Sequence, residues 1–177
     1  MEEKRSKEHA QVLEVYTDGS LKRKELTLRY GGWAYIVVEN ATTLVHADHG
    51  GAKDTTNQKM ELTAVAEALD YVSKIRKPNE RIIVYSDSAY VINCYAQEWY
   101  INWINNGWLN SEKKPVANRE LWERIVPYFD NFWYDFKKVE AHSGVYWNEE
   151  CDAMAQNKAD RLKRGIDKES WKQKFLK

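Results

Sequence analysis

The chain has 177 residues, 43% of them hydrophobic and 31% charged, and its formal net charge is zero. This length suits one domain with a single core, and no apolar run approaches the roughly 18 to 20 residues that a membrane-spanning helix needs. The zero net charge argues weakly against a nucleic-acid partner. Residues 1–9 lack the apolar segment of a signal peptide, and Cys94 and Cys151 have no metal-type spacing. We therefore expect a cytoplasmic protein with reduced thiols and no membrane association.

The first third of the chain has the pattern of an antiparallel meander. Strands are predicted at Gln11 to Thr17, Gly31 to Val38 and Thr42 to His49, where β-branched and aromatic residues are frequent. Short connections join these segments, so neighbouring strands are expected to pair with one another.

A helix is predicted from Thr56 onward, where the period of the apolar residues changes. The apolar residues that recur there at helical spacing are Met60, Ala64, Val65, Ala68, Leu69 and Val72. Thr55, Thr56 and Asn57 are candidate N-caps, and the Lys-Pro-Asn sequence at 77–79 ends the helix. Residues 81–86 form the next strand, and this strand-helix-strand unit implies parallel pairing through a right-handed crossover.

The second half of the chain is predicted to be mainly helical from 88 to 126, with breaks at Gly107 and Pro115. A last strand follows from Phe132 to Ala141, and then a loop from His142 to Trp147. Asn148 is a candidate N-cap for a closing helix, whose first turn is rich in acidic residues that suit the helix dipole.

These elements predict one α/β domain that spans the whole chain, with its core at about residues 12–160 and a basic segment at 161–177. Its mixed sheet of about five strands combines an antiparallel meander with parallel strands and is flanked by helices. Two stretches are basic: residues 22–29 carry a net charge of +3 and residues 158–177 one of +5. Each is either solvated surface or a surface that faces phosphates.

Four carboxylates are predicted at the border of the core, where a charge is unfavourable. Asp18 ends the strand in "VYTDGS", and Asp87 ends the strand in "IIVYSDS". Glu61 and Asp152 precede alanines and other apolar residues at helical spacing, so both lie on core-facing stripes. Taken singly, Asp18 could start a turn and Asp87 could cap a helix. Asp152 could serve the helix dipole, but neither a cap nor a turn explains Glu61.

The predicted fold gives these acids a common purpose. If the first and fourth strands are neighbours, Asp18 and Asp87 lie together where the carboxyl ends of the strands form a crevice, and a helix across them presents Glu61. Carboxylates this close repel one another and take up protons, unless a hard cation such as Mg²⁺ binds them. Two such ions about 4 Å apart can activate water and stabilise a leaving alkoxide in phosphodiester hydrolysis.

Seven segments of the chain resemble ribonuclease H of the type 1 family, the enzymes that cut RNA in RNA–DNA hybrids. These segments occur in the family's order and cover about residues 12–160. They are "YTDGS" (16–20), "GGWAYIV" (31–37), "TTNQKMEL" (55–62), "SDSAYVIN" (86–93), "NGW" (106–108), "KPVANRELW" (114–122) and "HSGVYWNEECD" (142–152).

The resemblance implies a mechanism and a set of site residues. Its metal ligands are Asp18, Glu61, Asp87 and Asp152, which would bind two Mg²⁺ ions, with Mn²⁺ as a possible substitute. His142 is implied to assist proton transfer or product departure. The expected products are a 3′-hydroxyl and a 5′-phosphate, and the expected partner is an RNA–DNA hybrid bound by a monomer.

Substrate contacts are also implied by the resemblance. They fall on residues near the carboxylates and on one residue of the substrate-binding handle: Gly19, Ser20, Thr56, Asn57, Gln58, Trp99 and Asn148. Selectivity is expected from hydrogen bonds to 2′-hydroxyl groups on the RNA strand and from a groove fitted to the DNA strand. The residues at 56–58 could otherwise serve as a helix cap.

Several segments depart from the family pattern, and two of them concern substrate binding. After "DGS", many members have a short Gly/Asn/Pro loop, whereas this chain has the longer and basic "LKRKELTLRY", so Lys22, Arg23 and Lys24 are candidates to replace contacts near Ser20. The handle at 98–114 has few cations.

The tryptophans of the handle have two interpretations. Trp99, Trp103 and Trp108 could stack on bases, but a role in the handle core is favoured, with Trp99 the best candidate for a contact.

Three other interpretations are compatible with parts of the sequence pattern. A binding module that has lost catalysis is disfavoured because all four carboxylates and His142 are present. A different nuclease or an integrase on a related fold is disfavoured by the "TTNQKMEL" and "HSGVYWNEECD" segments. A domain released from a reverse transcriptase would have the same chemistry.

Overall fold

The computed structural model describes residues 11–167, which form a five-stranded mixed sheet with helices on both faces. The strands are β1 (Val12–Arg23), β2 (Arg29–Glu39), β3 (Thr43–Lys53), β4 (Arg81–Ser86) and β5 (Tyr134–Lys138). The helices are α1 (Asn57–Ile75), α2 (Ala89–Ala96), α3 (Trp99–Asn105), α4 (Arg119–Ile125) and α5 (Tyr146–Lys163), with a 3₁₀ turn at Val126–Tyr128.

The strand order is β3-β2-β1-β4-β5. β1, β2 and β3 pair antiparallel, and β4 pairs parallel with both β1 and β5. This topology confirms the predicted mixed α/β sheet, including the meander and the parallel crossover through α1.

Each face of the sheet has its own apolar core. On one face, residues of α1 to α4 pack on the sheet, with Trp122 and Leu69 among the fully buried side chains. On the other face, Cys151 and Ala155 of α5 pack on β1 and β2. Because apolar burial drives helix docking, these two cores fix α1 and α5 on opposite sides of β1. No helix within residues 11–167 is both long and apolar enough to cross a membrane.

Close backbone approach between β1 and α1 depends on a glycine. A Cβ atom on Gly19 would lie 2.4 Å from the backbone nitrogen of Glu61. Any larger residue would therefore push α1 away from β1. The absence of a Cβ atom at this position lets α1 bring Glu61 next to Asp18.

The prediction that the first strand ends at Thr17 or Asp18 was wrong. β1 continues to Arg23 in an antiparallel ladder with β2, and Gly19 pairs with Trp33 instead of forming a turn. Only the parallel pairing with β4 stops at Thr17. Asp18 therefore lies inside β1, just past the point where the pairing of β1 with β4 ends.

The prediction for the start of the closing helix was also wrong. α5 begins at Tyr146, and Val145, not Asn148, is its N-cap residue. The indole N–H of Trp147 donates to the carbonyl of Ala41 in the β2–β3 turn at 2.9 Å. This distant contact anchors the first turn of α5, and local sequence gives no sign of it.

Other boundaries differ less. Thr56, one of the three candidate N-caps, is the N-cap of α1, and its hydroxyl accepts from the N–H of Lys59. Ser88, not Asp87, caps α2. The segment from 88 to 126 contains three short helices, and the non-helical stretch at 106–118 between α3 and α4 includes the predicted breaks Gly107 and Pro115. Of the predicted basic segment at 161–177, residues 168–177 lie outside the described residues.

Candidate active site

A polar cleft of about 120 Å³ lies at the end of the β1–β4 pairing. All four predicted carboxylates and the predicted histidine line it. Its residues are Asp18, Gly19, Asn57, Glu61, Asp87, Ala141, His142, Asn148, Glu149 and Asp152. Strands β1 and β4, helices α1 and α5 and the loop before α5 thus converge on one point.

Asp18 is the most buried of the four acids, with 6% of its surface exposed. Burial raises its pKa to about 8, and the negative charges of Asp87 and Asp152 act in the same direction. The backbone N–H of Gly19 donates to its carboxylate at 2.7 Å and partly offsets these effects. A carboxylate in this state strongly favours either a proton or a cation.

Glu61 and Asp87 have raised pKa values for related reasons. Burial is the main cause for Glu61, a hydrogen bond from Ser88 opposes it, and the charge of Asp87 adds to it. Burial is also the main cause for Asp87, and the charge of Asp152 acts in the same direction. The amide of Asn57 donates to Glu61 at 2.7 Å, one helical turn away, and holds its carboxylate at the cleft.

Asp152 and His142 form the other wall of the cleft. The side-chain amide of Gln156 donates to both oxygens of Asp152 at 2.8 Å and fixes the carboxylate one turn along α5. His142 Nδ1 lies 3.9 Å from Asp152, and 77% of the histidine side chain is exposed. The N–H of Gly144 donates to Glu149 at 3.1 Å, which ties the histidine loop to α5.

The donor set suits a hard divalent cation. Within residues 11–167, no three His, Cys, Asp or Glu side chains are grouped closely enough to hold one ion as they stand. Mg²⁺ keeps several of its waters and needs few direct carboxylate ligands, so a polar cleft of about 120 Å³ lined by four acids is a suitable site. The Oδ1 atom of Asn148 is buried in the cleft wall without a hydrogen-bond partner in the protein, and it adds a further oxygen.

The residues predicted to contact substrate fall into three groups. Gly19, Asn57 and Asn148 line the cleft beside the acids. Ser20 follows on β1, and Thr56 and Gln58 lie exposed at the N-terminus of α1.

Trp99 is elsewhere, in a second cleft of about 720 Å³ formed by α3 and the following loop. The buried Trp103 and the half-buried Trp108 pack in the core of this region, as favoured from the sequence.

Sequence reasoning missed the residues that hold the acids in place. Gln156 is four residues after Asp152, and this i,i+4 spacing on a helix was a usable signal. Ser88 hydrogen-bonds Glu61 across two elements, and no local pattern indicates that contact. Glu149 is an acidic residue in the first turn of α5, and its carboxylate also accepts from the loop that carries His142.

Known proteins are similar to this chain in sequence. The family model for RNase H matches residues 10–160. A ribonuclease H of Syntrophomonas wolfei subsp. wolfei is 41% identical over 148 residues, which cover 81% of this chain and 92% of that protein. A ribonuclease H of Nitratidesulfovibrio vulgaris is 40% identical over 152 residues, which cover 86% of this chain and 90% of that protein.

Solved structures support the fold. A foamy viral protease–reverse transcriptase in complex with an RNA/DNA hybrid matches with a TM-score of 0.72 at 22% identity. The match covers 85% of this chain but 20% of the longer viral protein, so it bears on the fold alone. The family model and the two bacterial relatives confirm the resemblance seen in the sequence. The chain therefore belongs to the ribonuclease H family of enzymes.

Proposed function

We propose that this chain hydrolyses the RNA strand of RNA–DNA hybrids by two-metal-ion catalysis and leaves 3′-hydroxyl and 5′-phosphate ends. Membership of the ribonuclease H family supports cleavage of the RNA strand in hybrids generally. The observation that carries the catalytic part is the convergence of four carboxylates on one cleft. Three of them have raised pKa values because they are buried near one another.

Asp18, Glu61, Asp87 and Asp152 would hold the two ions, Mg²⁺ or in its place Mn²⁺. When bound, the ions would activate a water molecule and stabilise the charge that develops on the leaving oxygen. The repulsion among the acids supports this assignment, because a cation neutralises it.

Neighbouring hydrogen-bond donors hold three of these acids in position. Gly19 donates its N–H to Asp18, Asn57 donates to Glu61, and Gln156 donates to Asp152. Each of these three carboxylates is thus held by a donor on its own strand or helix. Such preorganisation limits the reorganisation that the site needs during the reaction.

His142 is placed to hold or move a proton at the mouth of the cleft. Its imidazole is exposed to solvent on one side and 3.9 Å from Asp152 on the other. It could therefore pass a proton between water and the leaving 3′-oxygen. Its exposed position fits an auxiliary role.

His142→Ala is expected to slow turnover without abolishing it. General acid–base assistance is typically worth about 10²–10⁴-fold, while the acids that would hold the metal ions remain in place. Single-turnover cleavage of a labelled hybrid measures the effect. A variant that has lost all cleavage, or one with unchanged turnover, would contradict the auxiliary role.

The hybrid is proposed to lie across the cleft and the N-terminus of α1. Gly19, Ser20 and Asn148 would contact the RNA near the cleaved bond, where hydrogen bonds to 2′-hydroxyl groups distinguish RNA from DNA. The exposed residues at 56–58 on α1 and Trp99 in the handle would contact the hybrid on either side. Membership of the ribonuclease H family supports this partner.

A monomer acting in the cytoplasm is part of the same proposal. The free thiols of Cys94 and Cys151 are both buried, which is compatible with a reducing compartment. Burial raises the pKa of each thiol, so neither is a reactive nucleophile.

The product ends test the proposed chemistry. Hybrid labelled on the RNA strand is digested with Mg²⁺, and the fragments are offered to a ligase that requires a 5′-phosphate and a polymerase that requires a 3′-hydroxyl. Both enzymes are expected to accept the fragments without prior treatment. Fragments that need phosphatase before the polymerase extends them would contradict the proposed chemistry.

A further inference from the structure

The β1–β2 hairpin extends beyond the active-site cleft as a two-stranded ladder. β1 continues past Asp18 to Arg23, and β2 begins at Arg29. At roughly 3.4 Å per residue, the ladder reaches about 17 Å beyond the position of Asp18. The pairing with β4 stops at Thr17, so β4 does not flank this extension.

Arg23 and Arg29 lie on the face of the ladder that carries α1. They are directly opposite one another in the register, and side chains alternate along each strand, so they share a face with Gly19 and Gly31. A Cβ atom on Gly19 would lie 2.4 Å from the backbone nitrogen of Glu61 in α1. A Cβ atom on Gly31 would lie 2.4 Å from the side chain of Thr55, just before α1. The two arginines thus project on the side where the residues at 56–58 are exposed.

Without a bound partner, the pairing of Arg23 with Arg29 destabilises the folded chain. Like charges directly opposite in an antiparallel pair are destabilising. The arginine ion pairs within residues 11–167 involve other arginines, and neither Arg23 nor Arg29 has an acidic partner there. A bound anion would relieve the repulsion, and the planar guanidinium group matches the oxygens of a phosphate.

We propose that Arg23 and Arg29 form an arginine clamp that binds backbone phosphates of the RNA–DNA hybrid away from the cleaved bond. A reach of about 17 Å corresponds to about five base pairs at roughly 3.4 Å per base pair. The proposal rests on the proposed function, since the hybrid must occupy the cleft. Lys22 is a further candidate contact from the sequence, beside Arg23. Lys22 pairs with Tyr30 on the opposite face of the ladder, so it is not part of the clamp.

The test is binding of hybrid across a salt series by protein made inactive with Asp87→Asn. Arg23→Ala/Arg29→Ala is expected to weaken binding and to flatten the slope of log affinity against log salt. The slope should flatten by up to about 0.9 for each phosphate that the variant no longer binds, with the B-DNA value as a guide. Lys74→Ala/Lys77→Ala is the matched control, because it removes two positive charges near the opposite end of the sheet, where Lys77 pairs with Glu39. The control is expected to leave the slope unchanged.

Three outcomes decide whether the clamp exists. If the arginine variant has the affinity and slope of the control variant, the clamp is wrong, while hybrid cleavage by the unmodified chain would still support the proposed function. If the arginine variant unfolds at a clearly lower urea concentration, the arginines stabilise the hairpin and the clamp is again wrong. An unchanged or higher unfolding midpoint together with a flatter slope supports the clamp. Failure of the unmodified chain to cleave hybrid would overturn the proposed function itself.

Discussion

Asp87→Asn is expected to lose nearly all cleavage of the RNA strand while the fold stays intact. Asp87 directly follows β4 and lines the cleft with the other three acids. An amide has the same shape but no charge with which to hold a cation, and metal ions stabilise the transition state by several kcal/mol. A reduction of about 10³-fold or more in rate follows, since each 1.36 kcal/mol is about tenfold.

The measurement is single-turnover cleavage with Mg²⁺, together with a circular dichroism spectrum to verify folding. Asp70→Asn is a matched control, because Asp70 is an exposed acid of α1 that pairs with Lys74 outside the cleft. The control is expected to cleave at the rate of the unmodified chain. Cleavage by Asp87→Asn at that same rate would show that the cleft acids do not hold the catalytic metal.

Asp18→Asn is expected to stabilise the metal-free protein by about 2–4 kcal/mol near pH 7, from the free energy of about 1.4 kcal/mol per pKa unit. The pKa of Asp18 is raised from 3.8 to about 8 by burial and by its acidic neighbours. Folding therefore disfavours the ionised form that the unfolded chain adopts at neutral pH. Asparagine mimics the protonated acid and removes this penalty.

The pH dependence of this effect has a definite sign. Because the pKa of folded Asp18 is raised, its contribution to stability is fully present below about pH 4 and is lost as the pH rises toward 8. The advantage of Asp18→Asn should therefore grow between about pH 4 and pH 8 and then level off. Urea unfolding with chelator at several pH values measures it. An advantage that shrinks as the pH rises would be the wrong sign and would refute the assigned cause.

The positions of the carboxylates could be predicted from the sequence because each breaks a local rule. A buried strand that contains an aspartate, and an apolar helical stripe that contains Glu61, are inconsistent with a simple core. The parallel neighbours β1 and β4 then bring Asp18 and Asp87 together, as the strand-helix-strand pattern implied. The two helical acids follow from the period of the alanines around them.

The ends of elements could not be predicted where distant contacts set them. The "DGS" sequence is typical of a turn, yet β1 continues because β2 pairs with it as far as Arg23. α5 starts early because the indole of Trp147 binds the β2–β3 turn, more than a hundred residues away in sequence. Asn148 consequently faces the cleft in the second half of the first turn and is buried, although its type is common at N-caps.

The helices of the segment at 88–126 show a similar limit of prediction from sequence. The sequence predicted mainly helical structure at 88–126, and the structure has three helices there, but Glu98 and Asn118 adopt left-handed backbone conformations just before α3 and α4. Gly107 and Pro115 indicated the break between α3 and α4, but Glu98 is not a glycine, so the start of α3 carried no strong sequence signal. Packing of Trp103 against Trp122 fixes the segments instead.

One substrate panel tests the central claim most directly. The chain is incubated with a labelled RNA–DNA hybrid, duplex RNA and duplex DNA, each with Mg²⁺ and each with chelator. Cleavage of the RNA strand of the hybrid with Mg²⁺, and no cleavage in the other five reactions, is the predicted result. Binding of the hybrid without cleavage would indicate a binding module, and cleavage of the hybrid in chelator or of duplex DNA with Mg²⁺ would contradict the metal-dependent ribonuclease H proposed for this cleft.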